Sequence, residues 1–197
     1  SFDGKAFEYS LEQLAADAGK SKDEFTSLDL LDVDEIAAVL PKLNISKLVP
    51  DASKLYFTSK LPFAFNYVDE DVMVIADAEQ MKRVINNIIG NSLKYMDKKN
   101  GIINIRILDV GDFVQVEIED NGKGIGPREL PYIFDRFYRT DSSRNSAKGG
   151  SGIGLSIVKK IIEDHGGYVW ATAKEGEGTC MHFVLRKYIE LQPGGTK

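Results

Sequence analysis

The stretch Lys148-Gly149-Gly150-Ser151-Gly152-Ile153-Gly154-Leu155 constrains this chain more than any other. Glycines at 150, 152 and 154 run directly into a strongly helix-forming segment, residues 155–164. Backbone without Cβ atoms lets a ligand come close. A helix start adds unpaired N–H groups and a partial positive charge, which together favour phosphate. Taken alone, the same Gly-x-Gly-x-Gly pattern also describes a flexible loop between two elements. Three stretches upstream fit the same ligand.

The 197 residues are enough for one or two domains with a real core. A hydrophobic fraction of 43% and a charged fraction of 28% place the chain among ordinary globular proteins. The net charge of −5 argues against a broad nucleic-acid-binding surface, so no nucleic-acid partner is expected. The single cysteine, Cys180, excludes an internal disulfide and a thiolate metal cluster, and reads as a small buried apolar residue. No apolar run approaches membrane-spanning length and no signal peptide opens the chain, so no membrane contact is expected from it. Ser1 in place of an initiator Met reads as the start of an excised piece.

Residues 6–18 read as a helix, with Phe7, Leu11, Leu14 and Ala15 at helical spacing. Gly19 stops it, and residues 20–24 form a polar connector that looks like a boundary. A short strand at 25–28 and a helix at 35–40, ended by Pro41, come next. Residues 54–65 and 72–76 read as strands, and 191–197 as a patternless tail.

Residues 78–96 are the clearest helix. Met81, Val84, Ile85, Ile88, Ile89 and Met96 make its apolar stripe. Asn87, Asn91 and Lys94 share a different face. That face is either plain surface polarity or a set of amide oxygens one turn apart, aimed at one ligand. Carbonyl oxygens suit a hard ion such as Mg²⁺.

Residues 102–109 and 113–120 read as a hairpin with Val114, Val116 and Ile118 inward and Gln115, Glu117 and Glu119 outward. Asp120 has the inward parity, and a carboxylate there needs a partner. A ligand amine such as the adenine amino group would serve, and so would the N–H groups of its own Asp-x-Gly turn. Residues 129–138 carry Leu130, Ile133, Phe134 and Phe137. Arg136, Arg139, Arg144 and Lys148 follow, with residues 140–149 reading as a mobile basic lid or as an ordinary exposed loop. Ile157, Val158, Ile161 and Ile162 mark the buried stripe of the last helix, with Gly166 as its C-cap. Strands at 168–173 and 179–187 close the pattern.

In this order the stretches resemble the catalytic ATP-binding domain of bacterial two-component sensor histidine kinases. The resemblance covers roughly residues 25–186. Asn87-Ile88-Ile89-Gly90-Asn91-Ser92-Leu93-Lys94-Tyr95 resembles the N box, and Asp120-Asn121-Gly122-Lys123-Gly124-Ile125-Gly126 the G1 box. Phe134-Asp135-Arg136-Phe137-Tyr138-Arg139 resembles the F box, and Gly150-Ser151-Gly152-Ile153-Gly154-Leu155 the G2 box. Gly176-Glu177-Gly178-Thr179 matches the turn before the closing strand.

The resemblance implies an α/β (α+β) two-layer sandwich, a mixed and largely antiparallel sheet under one layer of helices. This is the Bergerat-type nucleotide fold shared with gyrase, Hsp90-type chaperones and mismatch-repair ATPases. ATP would lie between the helices and the lid. The resemblance also implies roles. Asn91 would bind Mg²⁺ with Asn87 beside it. Lys94 and Tyr95 would face the nucleotide, Asp120 would hold the adenine amino group, and Thr179 would stand beside that contact. Gly122, Gly124, Ile125 and Phe134 would line the pocket. Lys148, Gly150, Ser151, Gly152, Ile153, Gly154 and Leu155 would enclose the phosphates, with Arg136 or Arg139 stabilising charge.

The family's acceptor histidine sits on a dimerising helix hairpin and is followed by an acidic residue. Here His165 precedes two glycines at a helix end, where the dipole favours a cation, and His182 lies at polar strand parity, which reads as surface. Neither fits an acceptor. Residues 1–22 therefore read as the end of a dimerisation helix and a hinge, 23–188 as the catalytic domain and 189–197 as a tail. The implied partners are ATP, a histidine-bearing dimerisation domain of the same protein and a response regulator. The implied setting is a cytoplasmic domain of a membrane-anchored homodimeric parent. The alternatives are a related ATPase, whose Glu would stand where this chain has Asn87, and a non-catalytic module gated by nucleotide.

Overall fold

The computed structural model describes residues 42–53, 63–66, 72–139 and 152–188. The expected elements at 6–18, 25–28 and 35–40, the first part of the expected strand at 54–65, the lid at 140–149 and the tail at 191–197 lie outside these residues. So do the candidates Lys148, Gly150 and Ser151.

The described chain runs β1 (Lys42–Asn44), α1 (Ile45–Ser53), β2 (Phe63–Asn66), β3 (Met73–Ile75), α2 (Ala78–Tyr95), β4 (Ile103–Val110), β5 (Phe113–Asp120), a short 3₁₀ turn (Leu130–Tyr132), α3 (Gly154–Asp164), β6 (Tyr168–Lys174) and β7 (Gly178–Arg186). Five strands form one sheet in the order β2-β4-β5-β7-β6. Only the β2–β4 pairing is parallel. The mixed, largely antiparallel sheet and the two-layer sandwich are therefore as the sequence leads one to expect. β1 and β3 make a separate antiparallel pair, joined to the main sheet just past the end of β7 by the Val74–Lys187 bridge.

Helix α2 begins where Asp77 Oδ1 accepts the Gln80 N–H at 2.8 Å, an N-cap that satisfies one of the orphan donors. Its stripe of Met81, Val84, Ile85, Ile88 and Ile89 is buried against Ile105, Val116, Ile118 and Phe183 of the sheet. Burying each such side chain is worth about 1.5–3 kcal/mol over leaving it exposed. Helix α3 adds Val158, Ile161 and Ile162 to the same core, with Ile157 half-buried at its margin. It ends in a Schellman motif. The Gly167 N–H donates to Ile162 O at 2.9 Å and the Gly166 N–H to Glu163 O at 3.0 Å, with Gly166 at φ 67°.

Helix α1 has no counterpart in the sequence reading. Pro50 lacks an N–H and reads as a breaker, yet the helix runs on to Ser53. Asn44 Oδ1 caps its start by accepting the Lys47 N–H at 3.0 Å, and Ile45, Leu48 and Val49 are buried.

Three polar expectations are corrected. Gln115 and Glu117, read as outward-facing, are 1% and 4% exposed. His182, read as a surface residue, is 8% exposed. These side chains, with Arg106, Trp170 and Cys180, cover one another on the sheet face away from α2 and α3. Alternation in a strand distinguishes two faces but does not say that one of them meets water.

His165 also differs in its reason. It is 4% exposed, its Nδ1 lies 2.7 Å from Ile161 O, and its Nε2 accepts the Asp77 N–H at 3.1 Å. A ring that donates at Nδ1 and accepts at Nε2 is the neutral tautomer, so it staples α3 to the start of α2 without needing a charge.

Candidate functional site

The carboxylate of Asp120 closes β5 directly opposite Thr179 of β7. Its Oδ1 accepts the Gly122 N–H at 2.9 Å, and the Ser92 hydroxyl and Thr179 N–H also hydrogen-bond it. An ionised carboxylate offers about four lone-pair positions, so three protein donors leave room for one more. The turn therefore does satisfy Asp120 in part, as one of the two readings of its sequence has it. Burial raises the Asp120 pKa above the ordinary carboxylate value, against the pull of these hydrogen bonds.

Ser92 is the contributor that the sequence reading missed. It is 3% exposed and falls on the apolar stripe of α2, four residues beyond Ile88. A hydroxyl at a core position is the signal that could have found it, since a buried polar group needs a partner.

The loop after Asp120 is pinned on two sides. The Lys123 N–H donates to Tyr95 O at 3.3 Å, and the Gly176 N–H donates to Lys123 O at 2.6 Å. At Gly124, φ is 69° and an added Cβ would lie 2.0 Å from Lys174 O, so only glycine fits. A Cβ at Gly122 would lie 2.9 Å from Asp120 Oδ1. Ile125 and Phe134 pack, half-buried, against the core beside this loop.

The second glycine motif meets the Asn face of α2. A Cβ added at Gly154, the first residue of α3, would stand 3.3 Å from Asn87 Oδ1. Asn87 donates its Nδ2 to Arg83 O at 2.9 Å, which turns its oxygen toward that helix start. No described side chain caps α3, and its first turn holds no acidic residue, so its positive end is open. Asn91 and Lys94 lie further along α2, half-buried, with Lys94 Nζ 5.0 Å from the centre of the Tyr95 ring. Ile153 precedes the helix, and Leu155 packs against the core from its first turn. Arg136 is exposed and Arg139 half-buried, both next to Phe137, whose N–H bonds to Gly152 O. Residues from four distant stretches thus come together around the Asp120 loop and the start of α3.

A family model described as "Histidine kinase-, DNA gyrase B-, and HSP90-like ATPase" matches residues 76–189. The chain belongs to this ATPase family. Among curated relatives, the sensor histidine kinase WalK of Bacillus subtilis is 34% identical over 139 residues, covering 70% of this chain and 23% of WalK. The sensor protein kinase WalK of Staphylococcus haemolyticus is 37% identical over 117 residues, 59% of this chain and 19% of that protein. The chain thus spans under a quarter of the length of these relatives. Among solved structures, the mycobacterial sensor histidine kinase MprB aligns with TM-score 0.66 and 27% identity, over 74% of this chain and 97% of that one. The catalytic domain of the histidine kinase ThkA aligns with TM-score 0.65 and 29% identity, over 75% and 95%. As a member of the ATPase family the chain is a nucleotide-binding domain of the histidine-kinase type. No helix among its described residues is long and apolar enough to cross a membrane.

Proposed function

We propose that this chain is the ATP-binding kinase domain of a two-component sensor histidine kinase. It transfers the γ-phosphoryl group of ATP to a histidine on a separate dimerisation domain. The observation that carries this reading is the approach of Asn87 Oδ1 to Gly154, which joins the Asn face of α2 to the open start of α3. An anion cradle beside amide oxygens suits a metal-bound polyphosphate.

In this reading Asp120 accepts the adenine amino hydrogen, with Thr179, Gly122, Gly124, Ile125 and Phe134 around the base. Asn91 holds Mg²⁺, with Asn87 supporting it, and Lys94 and Tyr95 flank the nucleotide. The ion would neutralise charge on the phosphates. Gly150, Ser151, Gly152, Ile153, Gly154 and Leu155 contact the phosphates through backbone N–H groups, and Lys148, Arg136 and Arg139 balance their charge. The donor set fits the ion, because side-chain amide oxygens are hard ligands and Asn87 already turns its oxygen inward.

Transfer in trans is supported by both histidines. His165 has both ring nitrogens in hydrogen bonds to backbone, and His182 is held by Glu117 and Thr172. Residues 1–22 then belong to the end of the dimerisation helix and hinge, 23–188 to the catalytic domain and 189–197 to the tail. A response regulator receives the phosphoryl group in turn; the histidine kinase ThkA in complex with the response regulator protein TrrA aligns with TM-score 0.63 and 27% identity, over 84% of this chain and 49% of that one. The parent is a membrane-anchored homodimer with this domain in the cytoplasm.

A simple ATPase is disfavoured because Asn87 is an amide. It has no basic oxygen to take a proton from water, and its Nδ2 is committed to Arg83. General-base assistance is worth roughly 10²–10⁴ in rate. The test is radiolabelled ATP with this chain alone and with the cognate dimerisation domain. Label on the added domain, acid-labile and base-stable, is the expected result. Acid-labile label on this chain alone would falsify the reading.

A further inference from the structure

We propose that the sheet face opposite α2 and α3 carries a binding site for a divalent cation of the zinc class, held by Cys180 Sγ, His182 Nδ1 and Glu117 Oε1. Strand register assembles it. Glu117 pairs with His182 and Glu119 with Cys180, so Cys180 and His182 share one face of β7 opposite Glu117 of β5. His182 Nδ1 lies 3.3 Å from Glu117 Oε1 and 4.0 Å from Cys180 Sγ, and the three donor atoms all fall within 4.8 Å of one another. With metal–ligand bonds of about 2.0–2.3 Å, donors of a tetrahedral zinc site stand about 3.2–3.7 Å apart, so side-chain shifts of up to about 1 Å close the triad.

The outer atoms of the donors are already held. His182 Nε2 lies 3.0 Å from Thr172 Oγ1, and Trp170 stacks on the imidazole at 5.0 Å and 5°. Glu117 Oε2 accepts the Arg106 Nε–H at 2.5 Å. Such outer contacts orient ligands in metal sites. A separate observation also points to a missing partner. Gln115 is 1% exposed, its Nε2 donates to Glu117 Oε1 at 2.6 Å, and its Oε1 is buried without a hydrogen bond. The amide N–H holds the Glu117 carboxylate from a further side, so the protein supplies three ligands and the fourth position is left to solvent.

Ligand chemistry sets the cation class. A thiolate with an imidazole excludes Mg²⁺ and Ca²⁺, which take oxygen, and selects zinc-like ions. In the metal-free chain burial, aided by the Glu117 carboxylate, pushes the Cys180 thiol well above its ordinary range. Binding therefore expels one proton from Cys180 to solvent, while the imidazole proton moves to Nε2, where Thr172 Oγ1 can accept it. Arg106 opposes a dication: its Nε–H bonds Glu117 at 2.5 Å and its Nη2 lies 4.0 Å from Cys180 Sγ, so binding requires the guanidinium to swing away from both toward Glu119, which its Nη1 already reaches at 2.8 Å.

The probe is Co²⁺ added, without nucleotide, to the full 197-residue chain stripped by chelator. Because Cys180 is the only cysteine, any thiolate-to-Co²⁺ charge-transfer band must come from it. One equivalent should give that band with intense tetrahedral d–d absorption, and Zn²⁺, but not Mg²⁺, should displace it. His182→Gln should weaken Co²⁺ at least tenfold, and Cys180→Ser should remove the band while fluorescent-ATP binding persists. Absence of the band in the wild-type chain at excess Co²⁺ would overturn the proposal. So would a band that survives His182→Gln at unchanged affinity.

Discussion

The N–H of Phe137 donates to the carbonyl of Gly152 at 2.9 Å, and both residues take positive φ, 64° and 70°. For a residue with a Cβ this left-handed conformation costs about 1–2 kcal/mol. The Phe137 ring does not recover that cost, being 72% exposed, so the backbone contact holds the conformation. The bond joins the Phe134–Arg139 stretch to the approach of α3, with Phe137 and Tyr138 backbone against Gly152. Strain of this kind gathers at functional sites.

Gly152→Ala should break that junction. An added Cβ would lie 2.9 Å from Tyr138 O, on top of the φ penalty, for a combined cost on the order of 1–3 kcal/mol. Fluorescent-ATP titration should show weaker binding, and the urea midpoint should fall by an amount that matches the strain. Wild-type affinity in this variant would remove the role given to the junction.

Asp120→Asn should weaken ATP about tenfold or more. Asparagine can still accept the Gly122 N–H, but the charged partner is lost, worth on the order of 1.5–3 kcal/mol in a buried site. Isothermal titration of both proteins measures the difference, and GTP should change far less than ATP.

The same carboxylate sets a pH dependence. Its folded pKa lies above the ordinary value, so Asp120 takes up a proton earlier than a free carboxylate as pH falls. Only the ionised form accepts freely from the adenine amino group. ATP affinity should decline on mild acidification, in the window just above the ordinary carboxylate pKa. Asp120→Asn should flatten that profile, and an unchanged slope would assign the titration elsewhere.

The Glu117 carboxyl is shifted the other way, and its effect is on stability. Burial opposes its ionisation, but hydrogen bonds from His182 and Arg106 outweigh it and hold the carboxyl at about 2, against an ordinary 4.5. A lowered folded pKa means the contribution is complete above 4.5 and is lost as pH falls from there toward 2. Urea midpoints across that range, in chelator, should fall more steeply for the wild type than for Glu117→Gln.

Asn91→Ala should abolish the Mg²⁺-dependent part of ATP affinity, since an amide oxygen leaves a site with few protein ligands. The gap between titrations in Mg²⁺ and in chelator measures this. Its survival in the variant would mean that another group holds the ion.

The sequence by itself determined the periodic elements and the positions of the glycine motifs. The stripe of α2, the β4–β5 hairpin and the inward parity of Asp120 are all local patterns, because a helix or strand repeats its environment every few residues. The order of the four motifs carried the family resemblance. The tertiary structure alone decided what the far face of the sheet meets. Gln115, Glu117 and His182 have the pattern of surface residues, and no local rule says that Arg106 and Trp170 close over them. It also decided how Ser92 is used and why His165 is neutral, since both depend on partners many residues away. Helix α1 stayed hidden because Pro50 is a strong local breaker, whereas burial of Ile45 and Val49 is a long-range gain.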